Sequence, residues 1–171
     1  MTARPTAAGA TWRCDTASAD ETRALGRALA ACLVGGEVIT LDGDLGAGKT
    51  CFAQGLAAGL GIPPDEVSSP TFVIRHEHYG RVPLAHLDFY RLDDPDEIEW
   101  LDLLDAPEDS VLVIEWAEKL PAALPADRLA VRLTPGPDQA KNECADHIHG
   151  VRIHKNCNTH TCDAKVADGM A

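Results

Sequence analysis

The sequence predicts an α/β fold in which α-helices flank one mixed β-sheet. In the first half of the chain, segments with helical apolar spacing alternate with short runs of β-branched residues, which is typical of parallel strands joined by helices. In the second half, apolar runs follow one another directly, which indicates some antiparallel pairing. A length of 171 residues suits a single domain better than two.

The predicted elements begin and end at recognisable signals. Ser18 or Asp20 is placed to cap the first helix, and the pair Gly35 and Gly36 ends it. Gly61, which two prolines follow closely, ends the second helix. In chain order, the predicted elements are a short edge strand at 11–14, a helix ending at Val34, a buried strand at 38–41, a helix at 52–60, strands at 72–79 and 84–90, a helix from Asp94 to about Leu103, and strands at 111–115 and 129–133.

Charge and hydropathy exclude several classes of protein. Asp and Glu outnumber Lys and Arg by 27 to 15, and the net charge of −12 argues against a surface that grips nucleic acid or an anionic membrane directly. The longest apolar stretch, residues 28–34, is too short to span a bilayer, and no leader-like apolar segment follows Met1. Six scattered cysteines fit free thiols, so we expect a cytoplasmic protein without a disulfide framework.

The composition changes abruptly near Pro137. Residues 138–171 contain no Leu, Phe, Trp or Tyr, so they bury little apolar area. We therefore predict a folded unit at 1–137 and a disordered tail at 138–171, and we hypothesise that the tail is foreign, divergent or out-of-frame sequence. The alternative for the tail is a zinc site, because cysteine and histidine recur there at metal-ligand spacing. Its candidate ligands are Cys144, His147, His149, His154, Cys157, His160 and Cys162.

Residues 43–50, GDLGAGKT, are the most informative segment of the chain. They match the pattern G-x-x-x-x-G-K-T, with a predicted strand before and a predicted helix after, which is the context that a phosphate-binding loop (P-loop) requires. The glycines let backbone N–H groups converge on an anion, and the helix adds the positive end of its dipole. A glycine-rich turn without function is disfavoured, because Lys49 is one of only two lysines before Pro137. The predicted fold is therefore P-loop NTPase-like.

The loop and the start of its helix are expected to bind the nucleotide. Lys49 supplies a mobile charge for the β and γ phosphates, and Thr50 supplies a hydroxyl for Mg²⁺. The predicted nucleotide-binding residues of this segment are Asp44, Gly46, Ala47, Gly48, Lys49, Thr50 and Cys51.

Two acidic residues compete for the role of the second magnesium ligand. Glu115 and Asp88 each follow a short apolar run that is predicted as a strand. A lone acid at a strand end commonly meets solvent or pairs with an arginine, but ligands bind at the carboxyl ends of strands in α/β proteins, which favours a role in the site. Thr71 belongs either to a simple X-Pro turn or to a switch that senses the γ phosphate. Trp116 is interpreted as a packing residue.

Together these segments resemble the TsaE (YjeE) family of small bacterial P-loop ATPases. The likeness covers about residues 15–133, and Thr22 resembles a threonine that lies near the nucleotide in that family. The matching segments, in the family's order and spacing, are GDLGAGKT at 43–50, SSPTF at 68–72, HLDFYRL at 86–92 and VIEW at 113–116.

The resemblance implies a protein that binds and hydrolyses ATP with Mg²⁺ and is required for the threonylcarbamoyl modification of adenosine 37 in tRNAs that read ANN codons. It implies action together with the proteins TsaB and TsaD, and contact with tRNA only through that complex. Carried over by position, Lys49 binds phosphate, Thr50 and Glu115 ligate Mg²⁺, Asp88 is the functional acid, and Thr71 belongs to a switch-like loop. Family members continue after the 129–133 strand into another strand, to which nothing in 138–171 corresponds.

Two other functions stay open at this point. One is a small-molecule kinase, although such enzymes usually carry an arginine-bearing lid and few arginines lie between Gly80 and Leu133. The other is a non-catalytic scaffold that responds to nucleotide. A GTPase is disfavoured, because no N-K-x-D or T-K-x-D motif is present. The sequence assigns no arginine finger, so either Arg91 or a residue of a partner protein is expected to serve.

Overall fold

The computed structural model describes residues 4–6, 11–100, 102–135 and 148–155, whose strands form an eight-stranded mixed sheet with helices on both faces. This arrangement confirms the predicted α/β fold. Short 3-10 turns lie at Pro64–Glu66, Ala117–Lys119 and Pro121–Ala123. The strands and helices are β1 (Arg4–Thr6), β2 (Thr11–Cys14), α1 (Ala19–Ala30), β3 (Val38–Asp42), α2 (Lys49–Gly59), β4 (Arg75–His78), β5 (Leu84–Asp88), α3 (Pro95–Trp100), β6 (Val111–Glu115), β7 (Leu129–Pro135) and β8 (Ile148–Lys155).

Four strands at the centre of the sheet run parallel, in the spatial order β7, β3, β6, β5. β4 pairs antiparallel with β5 at one side, and β8, β2 and β1 continue antiparallel from β7 at the other. The register places Glu115 between Leu41 and Asp88. Because parallel strands end at the same edge of a sheet, the carboxyl ends of β3, β5 and β6 meet beside the loop that leads into α2.

Strands β5 and β6 are buried on both faces of the sheet. In β6, Val111 and Val113 belong to the apolar cluster that includes α1 and α2, whereas Leu112 and Ile114 belong to the cluster that includes α3. Every residue of β5 and β6 is buried. This two-sided burial explains why these strands appear in the sequence as continuous apolar runs instead of an alternating pattern.

Helices α1 and α2 approach each other closely because each carries a glycine at the contact. A Cβ atom on Gly55 would lie 2.2 Å from the carbonyl oxygen of Arg23, and one on Gly26 would lie 2.5 Å from that of Phe52. Backbone atoms of the neighbouring helix therefore fill the space that a larger side chain needs. This close contact holds α2, and with it the loop before α2, against the rest of the molecule.

The first helix has the predicted start but not the predicted end. Ser18 is the N-cap, and its hydroxyl oxygen accepts a hydrogen bond from the Glu21 N–H at 3.1 Å. The predicted end at Val34 is wrong, because α1 ends at Ala30. The Glu37 carboxylate accepts hydrogen bonds from the N–H groups of Val34 and Gly35, at 3.0 and 2.8 Å, and so competes with helical bonding there.

β7 ends at Pro135 instead of residue 133, and four boundaries that lie next to turns also shift by two or three residues. β4 begins at Arg75 instead of residue 72, because residues 71–73 form a turn and Ile74 has a φ of 71°. α3 ends at Trp100, and Asp102 has a φ of 45°, which helical residues do not adopt. α2 begins at Lys49, three residues before the predicted start, and β5 ends at Asp88, two residues before the predicted end. Each of these four differences falls next to a turn, where local sequence defines an element least well.

The region after Pro137, for which disorder is predicted, contains a strand. β8 lies between β7 and β2, with Ile153 beside Val131 and Val151 beside Leu133. The expectation of disorder is therefore wrong for residues 148–155. A strand inserted between two others is stabilised by backbone hydrogen bonds and β-branched residues, neither of which requires large apolar side chains. The domain boundary at 137 stays a prediction, and residues 138–147 and 156–171 lie outside the described part of the chain.

The zinc alternative for the tail is not tested. Its candidate ligands fall outside the described residues, except for His149 and His154 in β8. Within the described ranges, no three His, Cys, Asp or Glu side chains are grouped so that they could hold a metal ion. None of the helices within those ranges has the length and apolar character that crossing a bilayer requires.

Candidate nucleotide-binding site

The loop of residues 43–48 connects the end of β3 to the start of α2 and forms the base of the site. Gly43, Gly46 and Gly48 have positive φ values of 146°, 77° and 93°. No side chain caps the start of α2, and its first turn contains no acidic residue. The N–H groups at this helix start therefore lack a side-chain partner from a cap, which is the arrangement that binds phosphate.

Lys49 is folded back over this loop. Its Nζ donates hydrogen bonds to the carbonyl oxygens of Gly43 at 2.6 Å and Asp44 at 2.9 Å, and it lies 3.5 Å from the centroid of the Trp116 ring. The side chain is buried, and burial lowers the pKa of its ammonium group, while nearby acids, Glu115 first among them, oppose that shift. The Lys49 ammonium group therefore contacts loop carbonyls and the face of an aromatic ring, close to where phosphates would bind.

Thr50 and Glu115 meet although 65 residues separate them in the sequence. The Thr50 hydroxyl donates to the Glu115 carboxylate, at 3.1 Å to Oε1 and 3.3 Å to Oε2. Glu115 ends β6 and is 2% exposed. A hydroxyl and a carboxylate held side by side at a phosphate-binding loop are hard oxygen donors of the kind that Mg²⁺ prefers. These two residues therefore fit a magnesium ion, and Asp88 is not one of this pair.

Asp88 instead holds the segment that follows α2. Its Oδ2 accepts hydrogen bonds from the hydroxyls of Ser69 at 2.7 Å and Thr71 at 2.6 Å, and its Oδ1 accepts one from the Tyr90 N–H at 2.8 Å. The Ser69 and Thr71 hydroxyls also lie 2.8 Å apart, within hydrogen-bonding distance. Three hydrogen bonds to a buried carboxylate fix the conformation of the loop that carries Thr71.

The same loop is closed at its far end by a residue with unusual backbone geometry. Ile74 is β-branched and has a φ of 71°, a conformation that such residues rarely adopt. Its N–H donates to the Pro70 carbonyl at 2.6 Å, and its carbonyl accepts from the Asp88 N–H at 3.0 Å. Phe72 and Val73, in the turn before Ile74, are 87% and 62% exposed.

Trp116 is part of the site and not only a packing residue. It follows Glu115 with a φ of 59°, which directs its ring over Lys49. The Tyr90 ring packs against it, with centroids 5.0 Å apart. Both rings line the cleft. The interpretation of Trp116 as a residue that only packs is incomplete, because sequence alone does not show which face of the ring meets the lysine.

Two neighbouring acidic residues, Asp42 and Glu118, lie next to the start of the phosphate loop. Glu118 Oε1 accepts a hydrogen bond from the Gly43 N–H at 3.1 Å, and Glu118 also faces Asp42. Burial first, and then the neighbouring Glu118, raise the pKa of Asp42 to about 6. Arg132, whose Nη2 lies 3.7 Å from Asp42 Oδ2, and Arg128 oppose this shift. The pair joins the start of the phosphate loop to the turn that follows β6.

These elements enclose a cleft of about 440 Å³. Most of the predicted site residues line this cleft, but some do not. Asp44 and Ala47 in the loop, and Asp88 at the end of β5, do not line the cleft. Thr22 is fully buried with its hydroxyl 2.9 Å from that of Thr16. Arg91 is not among the lining residues either. The cleft is lined by Leu45, Gly46, Gly48, Lys49, Thr50, Cys51, Ser69, Thr71, Tyr90, Glu115 and Trp116.

Four residues of the site were not singled out from the sequence. Leu45 is 83% exposed at the tip of the loop, Ser69 bonds Asp88, Tyr90 packs on Trp116, and His86 contacts Glu115. The alternation in HLDFYRL was a usable signal for His86, because residues 86 and 88 of a strand point to the same face. Leu45 belongs to the contiguous phosphate loop, whereas the positions of Ser69 and Tyr90 in the site depend on how distant segments fold together.

Comparison with known proteins identifies one family. A family model described as "Threonylcarbamoyl adenosine biosynthesis protein TsaE" matches residues 16–143. The tRNA threonylcarbamoyladenosine biosynthesis protein TsaE of Streptomyces coelicolor is 44% identical over 135 residues, which cover 77% of this chain and 88% of that protein. Its namesake in Bacillus subtilis is 44% identical over 121 residues, or 70% and 74% of the two chains. The one in Treponema pallidum is 38% identical over 122 residues, or 71% and 90%.

A solved structure agrees with this result. The crystal structure of YdiB from Bacillus subtilis superposes on this chain with a TM-score of 0.65 at 28% sequence identity. The superposition covers 92% of this chain and 90% of YdiB.

Proposed function

We propose that this chain, which belongs to the TsaE family of threonylcarbamoyladenosine biosynthesis proteins, binds ATP with Mg²⁺ and hydrolyses it in the threonylcarbamoyl modification of adenosine 37 in tRNA. One observation carries the proposal: the phosphate loop, Lys49, Thr50 and Glu115 line a single cleft. A cation, a hydroxyl and a carboxylate around unpartnered helix amides are the parts that a nucleoside triphosphate and its metal ion require.

The chain's own residues divide the work of binding. The N–H groups at the start of α2 bind phosphate oxygens, and Lys49 leaves the Gly43 and Asp44 carbonyls to contact the β and γ phosphates. Thr50 and Glu115 hold the magnesium ion, which when bound neutralises charge on the phosphates. The remaining nucleotide contacts that we propose are Gly46, Gly48 and Cys51, which line the cleft, and the loop backbone at Asp44 and Ala47. Thr22 is fully buried against Thr16, so its contact with the nucleotide stays a prediction from the sequence.

Hydrolysis requires a water molecule placed in line with the γ phosphate. The water oxygen forms a bond to phosphorus as the bond to the bridging oxygen breaks, so ADP and inorganic phosphate leave. Thr71 lines the cleft on the loop that Asp88 holds, which supports a role for both in sensing the γ phosphate or orienting the water. With Glu115 they form the proposed catalytic set.

The partners that we propose are TsaB and TsaD, with tRNA contacted only through their complex, in the cytoplasm. No described arginine lines the cleft, which supports low turnover by the chain alone and stimulation by a residue of a partner. The net charge of −12 also favours contact with tRNA through other proteins.

The decisive experiment measures ATP binding by calorimetry and ATP turnover with and without TsaB and TsaD. Lys49→Ala is expected to abolish both binding and turnover. Glu115→Ala and Asp88→Asn are expected to reduce stimulated turnover by about tenfold or more, because each removes a charge-assisted contact, while Asp88→Asn leaves ATP affinity within about threefold.

Arg13→Ala is the control, since it removes a positive side chain that is 60% exposed and does not line the cleft. Turnover that is equal with and without the partners would contradict the proposed mode of action. Binding without any turnover would support a scaffold, and transfer of phosphate to a metabolite would support a kinase.

A further inference from the structure

His86 is a buried polar residue at the back of the cleft. It lies in the middle of β5, is fully buried, and its Nε2 lies 2.9 Å from Glu115 Oε1. His86 does not line the cleft, so it contacts Glu115 from behind. Its neighbours along the face of the strand are Leu84 and Asp88. An apolar residue would satisfy the packing at this position, as Leu84 does two residues earlier.

The hydrogen bonds available to His86 and Glu115 indicate which nitrogen of the imidazole ring carries the proton. An ionised carboxylate only accepts hydrogen bonds, so Nε2 carries the proton and donates it to Glu115. Nδ1 is buried and has no hydrogen-bond partner. A buried nitrogen without a partner destabilises the fold less as a lone pair than as an N–H group, which favours a proton on Nε2 rather than on Nδ1.

The contact determines where the Glu115 carboxylate lies. Its Oε1 accepts from His86 Nε2 on one side and from the Thr50 hydroxyl, at 3.1 Å, on the other. Two donors on the same oxygen restrict rotation of the carboxylate about its last bond. The carboxylate is therefore kept against Thr50, although Glu115 and Thr50 belong to different elements.

We propose that His86 is a positioning residue, whose Nε2–H bond to Glu115 holds that carboxylate beside the Thr50 hydroxyl in the geometry that receives Mg²⁺. The inference rests on the proposed function, because it assigns magnesium to Thr50 and Glu115. Outer partners of this kind orient a ligating carboxylate and commonly change metal affinity by about 10- to 100-fold when removed. His86 acts on the metal only through Glu115.

Two substitutions separate this role from packing. His86→Leu removes the donor, whereas His86→Gln keeps an N–H group close to the position of Nε2. We measure ATP binding by calorimetry in EDTA and at increasing Mg²⁺. For His86→Leu, affinity in EDTA is expected to stay within about twofold, while the Mg²⁺ concentration for half-maximal effect rises about tenfold or more. His86→Gln is expected to stay within about threefold of the wild type.

His76→Leu provides the matched control. His76 lies directly opposite His86 in the register of β4 and β5, and it has no hydrogen bond to Glu115 among the described contacts. Its substitution is expected to leave the Mg²⁺ dependence unchanged. An equal loss of affinity with and without Mg²⁺ in His86→Leu, or an unchanged Mg²⁺ dependence, would overturn the proposal.

A measurement on the wild-type protein covers the case in which His86→Leu does not fold. Imidazole ¹⁵N chemical shifts are expected to show a protonated Nε2 and an unprotonated Nδ1 for His86, and a change in these shifts in Glu115→Gln. A protonated Nδ1 with a bare Nε2 would overturn the proposal. If the wild type shows the expected shifts but binds no ATP in either medium, the proposed function fails while the His86–Glu115 contact stands.

Discussion

At the scale of single residues, the site combines buried charges whose positions are fixed by short hydrogen bonds. Glu115 and Asp88 are adjacent in the register of β6 and β5, yet their partners differ. Glu115 faces Thr50 and the metal position that we propose, whereas Asp88 is bonded to Ser69, Thr71 and Tyr90. Two acids that look equivalent in the sequence thus have different hydrogen-bond partners, Thr50 for Glu115 and the loop of Ser69 and Thr71 for Asp88.

The raised pKa of Asp42 predicts how the stability of the protein depends on pH. Its folded-state pKa of about 6 lies above the ordinary value of 3.8, so the folded protein binds this proton more tightly than the unfolded chain. Stability from this group is therefore present below pH 3.8 and is lost as pH rises to about 6. Asp42→Asn is expected to raise the free energy of unfolding by about 1–3 kcal/mol at pH 8, with a smaller gain at pH 4.5.

Urea unfolding at the two pH values measures this effect. Asp109→Asn, which changes an exposed carboxylate, is the control and is expected to shift neither value. A gain in Asp42→Asn that does not grow between pH 4.5 and pH 8 would contradict the explanation, which requires an ionised carboxylate beside Glu118.

At the scale of elements, the helices and central strands follow from the sequence, while their ends depend on neighbours. The apolar runs of β3, β5 and β6 predicted buried strands correctly. The end of α1 depends on a carboxylate, that of Glu37, which takes two N–H groups from the chain before it. The helical spacing of apolar residues shows only which positions are apolar. It does not reveal a polar side chain that competes for backbone hydrogen bonds.

The close contact between α1 and α2 predicts that replacing a glycine by alanine lowers the free energy of unfolding, whereas helix propensity alone predicts that it raises it. In an exposed helix, replacing glycine by alanine stabilises by about 1 kcal/mol. Gly55→Ala is expected to destabilise the protein by about 1–3 kcal/mol, because the added Cβ would meet the Arg23 carbonyl. The measurement is the free energy of unfolding in urea. A stabilised Gly55→Ala protein would show that the helices are not in close contact.

At the scale of the whole molecule, the sheet is continuous only because β8 joins β7 to β2. A chain of residues 1–137 lacks this strand and leaves two strand edges unpaired. Such a chain is expected to lose much of the roughly 5–15 kcal/mol that stabilises a typical domain, and to associate through the exposed edges. A chain of residues 1–155 keeps β8 and is the matched control.

Urea unfolding and light scattering distinguish the two truncated chains. The expected result is a weak or absent cooperative transition for 1–137 and a transition close to that of the full chain for 1–155. If 1–137 unfolds as cooperatively and at the same urea concentration as the full chain, the predicted boundary at 137 is supported and β8 contributes little.

Features that depend only on neighbours along the chain are predictable from the amino-acid sequence. The glycines, Lys49 and Thr50 form one contiguous segment, and the geometry of a phosphate loop follows from the backbone freedom of those glycines. The family resemblance rests on four such short segments and is confirmed by the family match over residues 16–143.

Tertiary structure alone decided which distant groups meet. Thr50 and Glu115 are 65 residues apart, and Thr71 and Asp88 are 17 apart, so sheet register and the α1–α2 contact bring them within hydrogen-bond distance. The position of His86 behind Glu115, the ring of Trp116 over Lys49, and the place of β8 in the sheet depend on the same packing. The physical reason is that side-chain hydrogen bonds act over about 3 Å, a distance that only the folded chain establishes between residues far apart in sequence.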